Sequence, residues 1–156
     1  MSDNAPDRGL SLLGALLTAV YWVDESLQCS LEAEGFKKIP RSWSMVMINV
    51  ANGTTRPIRI AENMGVSRQA IQKTLEEMSR EGLVDVTPDP RDRRATVVSF
   101  SPRGRPIQEA AGRILGLIED VLEQRVGAER LEVLHEVLES DWGELVVSQA
   151  PEYKSA

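Results

Sequence analysis

The apolar pattern of this chain changes period twice, and that change restricts the fold more than any other feature. Up to Glu81, apolar residues recur every three or four positions, the spacing of helix faces turned toward a core. From Leu83 the pattern alternates. Leu83-Val84-Asp85-Val86-Thr87 and Ala95-Thr96-Val97-Val98-Ser99-Phe100 read as two β-branched strands. Helical spacing returns after Ser101-Pro102, which read as an N-cap and first helical residue. A single hairpin inside an otherwise helical chain points to a mainly α protein with a small β-hairpin, in the order α-α-α-α-β-β-α-α.

The helices are bounded by local signals. A long one is expected over 10–31, with Leu13, Leu16, Leu17, Val20, Leu27 and Leu31 on one face. A second, over 43–51, would be capped by Ser42. A third follows Pro57 and stops at Met64, where Gly65 ends it. Ser67 caps a fourth over 68–81, and Gly82 terminates that one. After the hairpin, Ile107, Ala110, Ile114, Leu117, Ile118 and Val121 mark a long helix. Gly127 divides it from a last one carrying Leu131, Leu134, Val137 and Leu138. Residues 88–94 form a seven-residue connection between the strands, longer than the usual ~2–5, so an extended tip is expected.

Several classes of function are excluded early. No apolar run approaches the ~18 residues of a membrane span, and the stretch from Leu10 to Val23 stops at Asp24-Glu25. Acidic residues precede that stretch, so it does not read as a secretory signal, and a cytoplasmic protein with no membrane partner is expected. Cys29 is the single cysteine, which leaves no disulfide framework and no cysteine-built metal site; it is read as a buried, inert thiol. The lone His135 lies beside Glu132 and Glu136 and is read as structural or solvated. There is no Gly-rich phosphate loop, no paired metal-ligand motif, and no histidine outside the last expected helix to serve a nucleophile. No enzyme, metal or cofactor is expected.

The positive signal lies between Ile58 and Leu75. Two short helices meet at Gly65, where positive φ costs a glycine little. Small Ala61 lets them approach, and Ile71 and Leu75 fill the gap. This is helix-turn-helix spacing, in which the second helix enters the major groove with its N-terminal turns leading. With Ala70, Ile71, Leu75 and Met78 turned inward, the free face begins at Ser67 with Arg68, Gln69, Gln72 and Lys73. Arginine can fork onto guanine and glutamine onto adenine, while Lys73 suits a phosphate. A solvated polar face is the ordinary alternative.

Charge supports the nucleic-acid reading. The net charge is −6, yet residues 56–105 hold ten Lys/Arg against seven Asp/Glu and net +3, leaving −9 for the remainder. The tip concentrates Arg91, Arg93 and Arg94 around Asp92. Arginines on a projecting loop suit the narrow minor groove, and Asp92 is expected to hold one of them in a fixed rotamer. A helix-turn-helix followed by an arginine-tipped hairpin is a winged helix.

Ile60-Ala61, Met64-Gly65-Val66-Ser67-Arg68, Leu75 and Glu81-Gly82-Leu83-Val84, followed by Asp92-Arg93-Arg94, Val98-Ser99-Phe100-Ser101 and Gly104, resemble the MarR family of bacterial transcription regulators. The family's wing pattern, Asp-x-Arg-x-x-x-Val-x-Leu-Thr, is nearly met from Asp92 to Ser101, with Phe100 for Leu and Ser101 for Thr. The resemblance covers about residues 10–145. It implies a homodimer on a pseudo-palindromic DNA duplex, more often a repressor than an activator. It further implies major-groove contacts from Arg68, Gln69, Gln72 and Lys73, and a minor-groove Arg94 supported by Asp92 or Arg93. The expected division is a disordered tail over 1–9, dimerisation helices over 10–35 and 102–146, the winged lobe over 36–101, and a tail over 147–156.

The resemblance also implies a small aromatic ligand between dimerisation helices and winged lobe. Tyr21, Trp22, Trp43, Met45 and Met47 fall on the helices concerned, and Arg41 could meet an anion; ordinary core packing is the alternative for these side chains. The rival for the whole chain is a winged-helix dimer that binds another protein rather than DNA, to which the −9 outside the winged segment lends some support.

Overall fold

The computed structural model describes residues 8–147. The elements are α1 (Arg8–Ala33), α2 (Arg41–Ala51), α3 (Pro57–Met64), α4 (Arg68–Arg80), β1 (Val84–Asp89), β2 (Asp92–Phe100), α5 (Arg105–Val126) and α6 (Ala128–Glu139), in the expected order. The chain divides into two units, residues 1–120 and 121–156.

In the first unit, α2, α3, α4 and the hairpin enclose a core. Val46, Ile60, Met78, Val84 and Val98 are wholly covered, and Ile71 and Leu75 complete the face of α4. Pro57 starts α3 with its φ already helical, and Gly65 ends it at φ 63°. The Ser67 hydroxyl accepts the Ala70 N–H at 3.1 Å and so caps α4. Buried Ala61 leaves room for Ile71 where the two helices meet. β1 and β2 pair antiparallel, and the Val98 N–H donates to the Thr55 carbonyl at 2.8 Å, tying the hairpin base to the segment ahead of α3.

Four local expectations need correction. Ala70 is exposed, because the inward stripe of α4 runs through Ile71, Leu75 and Met78, at spacings of four and three. The second helix begins at Arg41 with Pro40 as N-cap, so Ser42 is helical and caps nothing; buried Ser44 instead accepts from Gln28 Nε2 at 2.8 Å. Helix α5 starts at Arg105, not Pro102. The Ser101 hydroxyl donates to the Gly82 carbonyl and accepts the Gly104 N–H at 2.9 Å, which closes a turn ahead of the helix. In that turn a Cβ on Gly104 would lie 1.9 Å from the Leu83 carbonyl oxygen, so only glycine fits without backbone movement. Cys29 is exposed rather than buried, since α1 turns Leu27, Gln28 and Leu31 inward at that level.

The largest correction concerns the tip. The strands continue through the segment expected to be a loop, leaving a two-residue turn at Pro90-Arg91. The pairing jumps from Pro88–Thr96 to Asp89–Asp92, so β2 carries three more residues than β1 at this point, 93–95. Proline at 88 has no N–H to offer the ladder, which favours the irregularity there.

α1 begins at Arg8, two residues ahead of the expected start, and its first half is largely exposed: Leu12, Leu13, Leu17, Val20, Tyr21 and Trp22 all face solvent in the single chain. The tail expected over 1–9 lies outside the described residues up to position 7, as does residue 148 onward of the expected C-terminal tail. In the second unit, α6 buries none of its residues, and Trp142 Nε1 donates to the Val137 carbonyl at 2.9 Å. Among the described residues no helix is long and apolar enough to cross a membrane.

Candidate nucleic-acid interface

The cap at Ser67 and the buried stripe of α4 fix which residues that helix presents outward. Arg68, Gln69, Gln72 and Lys73 are all exposed, and Arg68 and Gln69 occupy the first turn. Gln72 lies 3.5 Å from Glu76 Oε1, and Lys73 lies 4.0 Å from Glu77, both along the helix. At such separations and exposures these pairings hold their side chains weakly.

Between α4 and the wing runs a cleft of about 700 Å³. Arg68 and Gln72 line it from α4, Arg94 and Thr96 from β2, and Arg56 from the start of α3. Among the described residues, three guanidinium groups share this cleft with one carboxylate, Glu76, so its wall favours a polyanion. The structure thus brings Arg68, Gln72 and Arg94 onto one surface. Gln69 and Lys73 stand beside it on the exposed side of α4 and do not line the cleft.

At the tip, roles differ from those expected. The Asp92 carboxylate accepts the Arg94 backbone N–H at 3.1 Å and so fixes the chain, where an arginine side chain was the expected partner. Arg91 is exposed, and its N–H donates to Asp89 Oδ1 at 2.8 Å. The Arg93 side chain lies outside what is described. Asp89 itself is buried and its Oδ2 accepts from Arg56 Nη2 at 2.8 Å. The Arg91 N–H, then the Arg56 guanidinium, hold the Asp89 carboxyl below the usual carboxylate range. Sequence reading missed Arg56 and Asp89 as a pair. An Arg-Pro helix start and an Asp-Pro turn were both visible, but nothing local connects residues thirty-three apart.

Of the residues expected to hold a ligand, Tyr21 and Arg41 lie together, whereas Trp43 and Met47 line different clefts. Arg41 lies 4.5 Å from the centre of the Tyr21 ring, and its Nε donates to buried Asp24 at 2.7 Å, a bond that raises the Arg41 pKa further. Arg41 is therefore engaged rather than open to an anion. Trp22 is exposed on α1, Met45 is half-buried on α2, and Trp43 lines a cleft with Phe36, Lys37 and Arg103. Met47 lines a separate apolar cavity of about 160 Å³ with Leu27, Leu31 and Phe100.

Residues 38–95 match the model of the MarR family. The transcriptional activatory protein BadR of Rhodopseudomonas palustris is 32% identical over 116 residues, 69% of this chain and 65% of that relative. The matched segment thus spans just under two thirds of the relative's length. Among solved structures, the transcriptional regulator PA4135 superposes with a TM-score of 0.66 at 20% identity, covering 86% of this chain and 94% of that one. The transcriptional repressor CouR, bound to a 23-mer DNA duplex, gives 0.61 at 25% identity over 88% of this chain and 96% of that one. A MarR variant from E. coli, complexed with operator DNA, gives 0.60 at 20% identity over 85% and 96%. These likenesses are to the winged-helix fold described above.

Proposed function

The chain belongs to the MarR family, and on that premise we propose that it is a DNA-binding transcriptional regulator acting as a homodimer. Helix α4 lies in the major groove with Arg68, Gln69 and Gln72 at base edges, while Ser67 and Lys73 stand near phosphates. The wing carries Arg94 to the adjacent minor groove, with Arg91, Asp92 and Arg93 around it. The observation that carries this reading is the shared cleft of Arg56, Arg68, Gln72 and Arg94. A two-fold dimer follows from the apolar faces of α1 and α6, which the single chain leaves exposed.

Repression is the expected sign, by occupation of promoter DNA. The activatory name of the 32%-identical relative makes activation the contrary outcome of a promoter–reporter assay. A small apolar or aromatic effector is placed in the cavity lined by Met47, because Phe100 in its wall is the last residue of the wing strand. A phenol or aromatic carboxylate bound there by the native state alone would raise the melting temperature.

The test is an anisotropy titration against the duplex flanking the chain's own gene, at two salt concentrations and with random DNA as competitor. Binding that survives competitor is expected, with a slope of log K against log salt of ~−0.9 per phosphate neutralised. No binding at either salt would favour the protein-interaction reading.

A further inference from the structure

The sharpest feature left unexplained is a carboxylate set into a surface otherwise suited to phosphate. Asp89 is 7% exposed, and both of its oxygens are committed. Oδ1 accepts the Arg91 N–H that closes the wing turn, and Oδ2 accepts from Arg56 Nη2, each at 2.8 Å. Arg56 is the N-cap residue of α3, and α3 is anchored by Pro57 and by wholly buried Ile60. The ion pair therefore joins the tip of a two-stranded hairpin to a part of the lobe held by the core.

Its position explains why a joint is needed there. The ladder is regular from Val84–Phe100 to Pro88–Thr96 and then jumps to Asp89–Asp92, so the tip hangs beyond three residues of β2 that have no partner on β1. A two-stranded ribbon interrupted in this way would hinge at the interruption. Below it, Val98 donates to the Thr55 carbonyl at 2.8 Å; above it, Asp89 bonds the next residue, Arg56. Two adjacent residues of one segment thus hold the wing on both sides of the jump.

We propose that Arg56 and Asp89 form a clamp that sets the height of the wing over α4, making both positioning residues for Arg94. Ordering the tip before binding removes an entropic cost that a free hairpin would meet on the duplex. The clamp also holds Arg56 on the wall of the cleft that Arg94 and Arg68 share. Charge alone argues the opposite role for Asp89, since a carboxylate near phosphate weakens binding, and that opposition provides the test.

Asp89→Asn keeps an acceptor for the Arg91 N–H but removes the charge facing Arg56; Arg56→Gln removes the other half. Amide hydrogen exchange without DNA reads the clamp directly. Exchange at Arg91 and Arg94 is expected to rise about tenfold in both variants, while Val98 stays protected. Unchanged exchange at the tip would overturn the clamp, and lost protection at Val98 in both variants would show a general loosening in its place.

The part played in recognition rests on the DNA-binding reading. On the duplex the wild type prefers, Asp89→Asn is expected to bind about tenfold more weakly despite its lost negative charge, and to cause no further loss in an Arg94→Ala background. Tighter binding, or a loss that persists without Arg94, would overturn the positioning role. A wild type that binds no DNA would instead contradict the proposed function, and hydrogen exchange would still decide the clamp.

Discussion

In the winged lobe, Val46, Ile60, Met78, Val84 and Val98 are wholly covered by the chain's own residues, whereas α6 buries nothing. Val133, Leu134, Val137 and Leu138 each stay about half exposed, and the first half of α1 behaves as α6 does. Apolar content alone does not separate these regions: the lobe draws on Ile, Val and Met, and the terminal helices on Leu and Val. What separates them is local company. Helices α2, α3, α4 and the hairpin follow one another at short intervals and close on a common core. α6 and the start of α1 have apolar faces that this single chain leaves uncovered. The lobe is therefore the part expected to hold its shape alone, and the terminal helices the part expected to require a second copy.

Met78→Ala should have the largest effect, because it empties a wholly buried site in the lobe: a loss of ~2–5 kcal/mol in urea unfolding. A loss under ~1 kcal/mol would mean the lobe does not depend on that core. Joint replacement of Leu134 and Leu138 by aspartate places charge on the uncovered face of α6. Sedimentation equilibrium should then find monomer, where a dimer is expected of the wild type, with a cost to association of ~2–4 kcal/mol and α2 to β2 still folded. A variant that stays dimeric would remove α6 from the interface. Gly104→Ala should cost ~1–3 kcal/mol, since its Cβ would meet the Leu83 carbonyl, whereas Gly116→Ala in α5 meets nothing within 4 Å and should be neutral or mildly stabilising. Equal effects at the two glycines would contradict the close approach at the start of α5. The smallest effect is Ser67→Ala, ~1 kcal/mol from the lost cap of α4, read by the same unfolding curves.

The helix-turn-helix was legible because its determinants are local. Pro57, Gly65 and Ser67 each act within a few residues, and the structure uses all three as their chemistry suggests. Where reading failed, a local signal had a competing use. Ser101-Pro102 has the form of a helix start, but the Ser101 hydroxyl is spent on Gly82 and Gly104, which delays α5 to Arg105. Pro88 and Pro90 made the tip look like loop, yet Asp89 supplies side-chain acceptors that let the hairpin run on to a two-residue turn. Asp92 was legible as a wing-stabilising acid but not in its partner, which is backbone. Gly104 was visible as part of a family pattern; its physical reason, a carbonyl delivered by Leu83, lies twenty-one positions earlier. Arg56 was invisible for the same reason at greater separation.

The most direct measurement is an anisotropy titration of wild type and Arg94→Ala on one duplex, with thermal unfolding of both in parallel. Arg94 is exposed and contributes nothing to the core. The expected result is binding weakened by ~1–3 kcal/mol at an unchanged melting temperature. An Arg94→Ala variant that binds as the wild type does would contradict the joint use of recognition helix and wing.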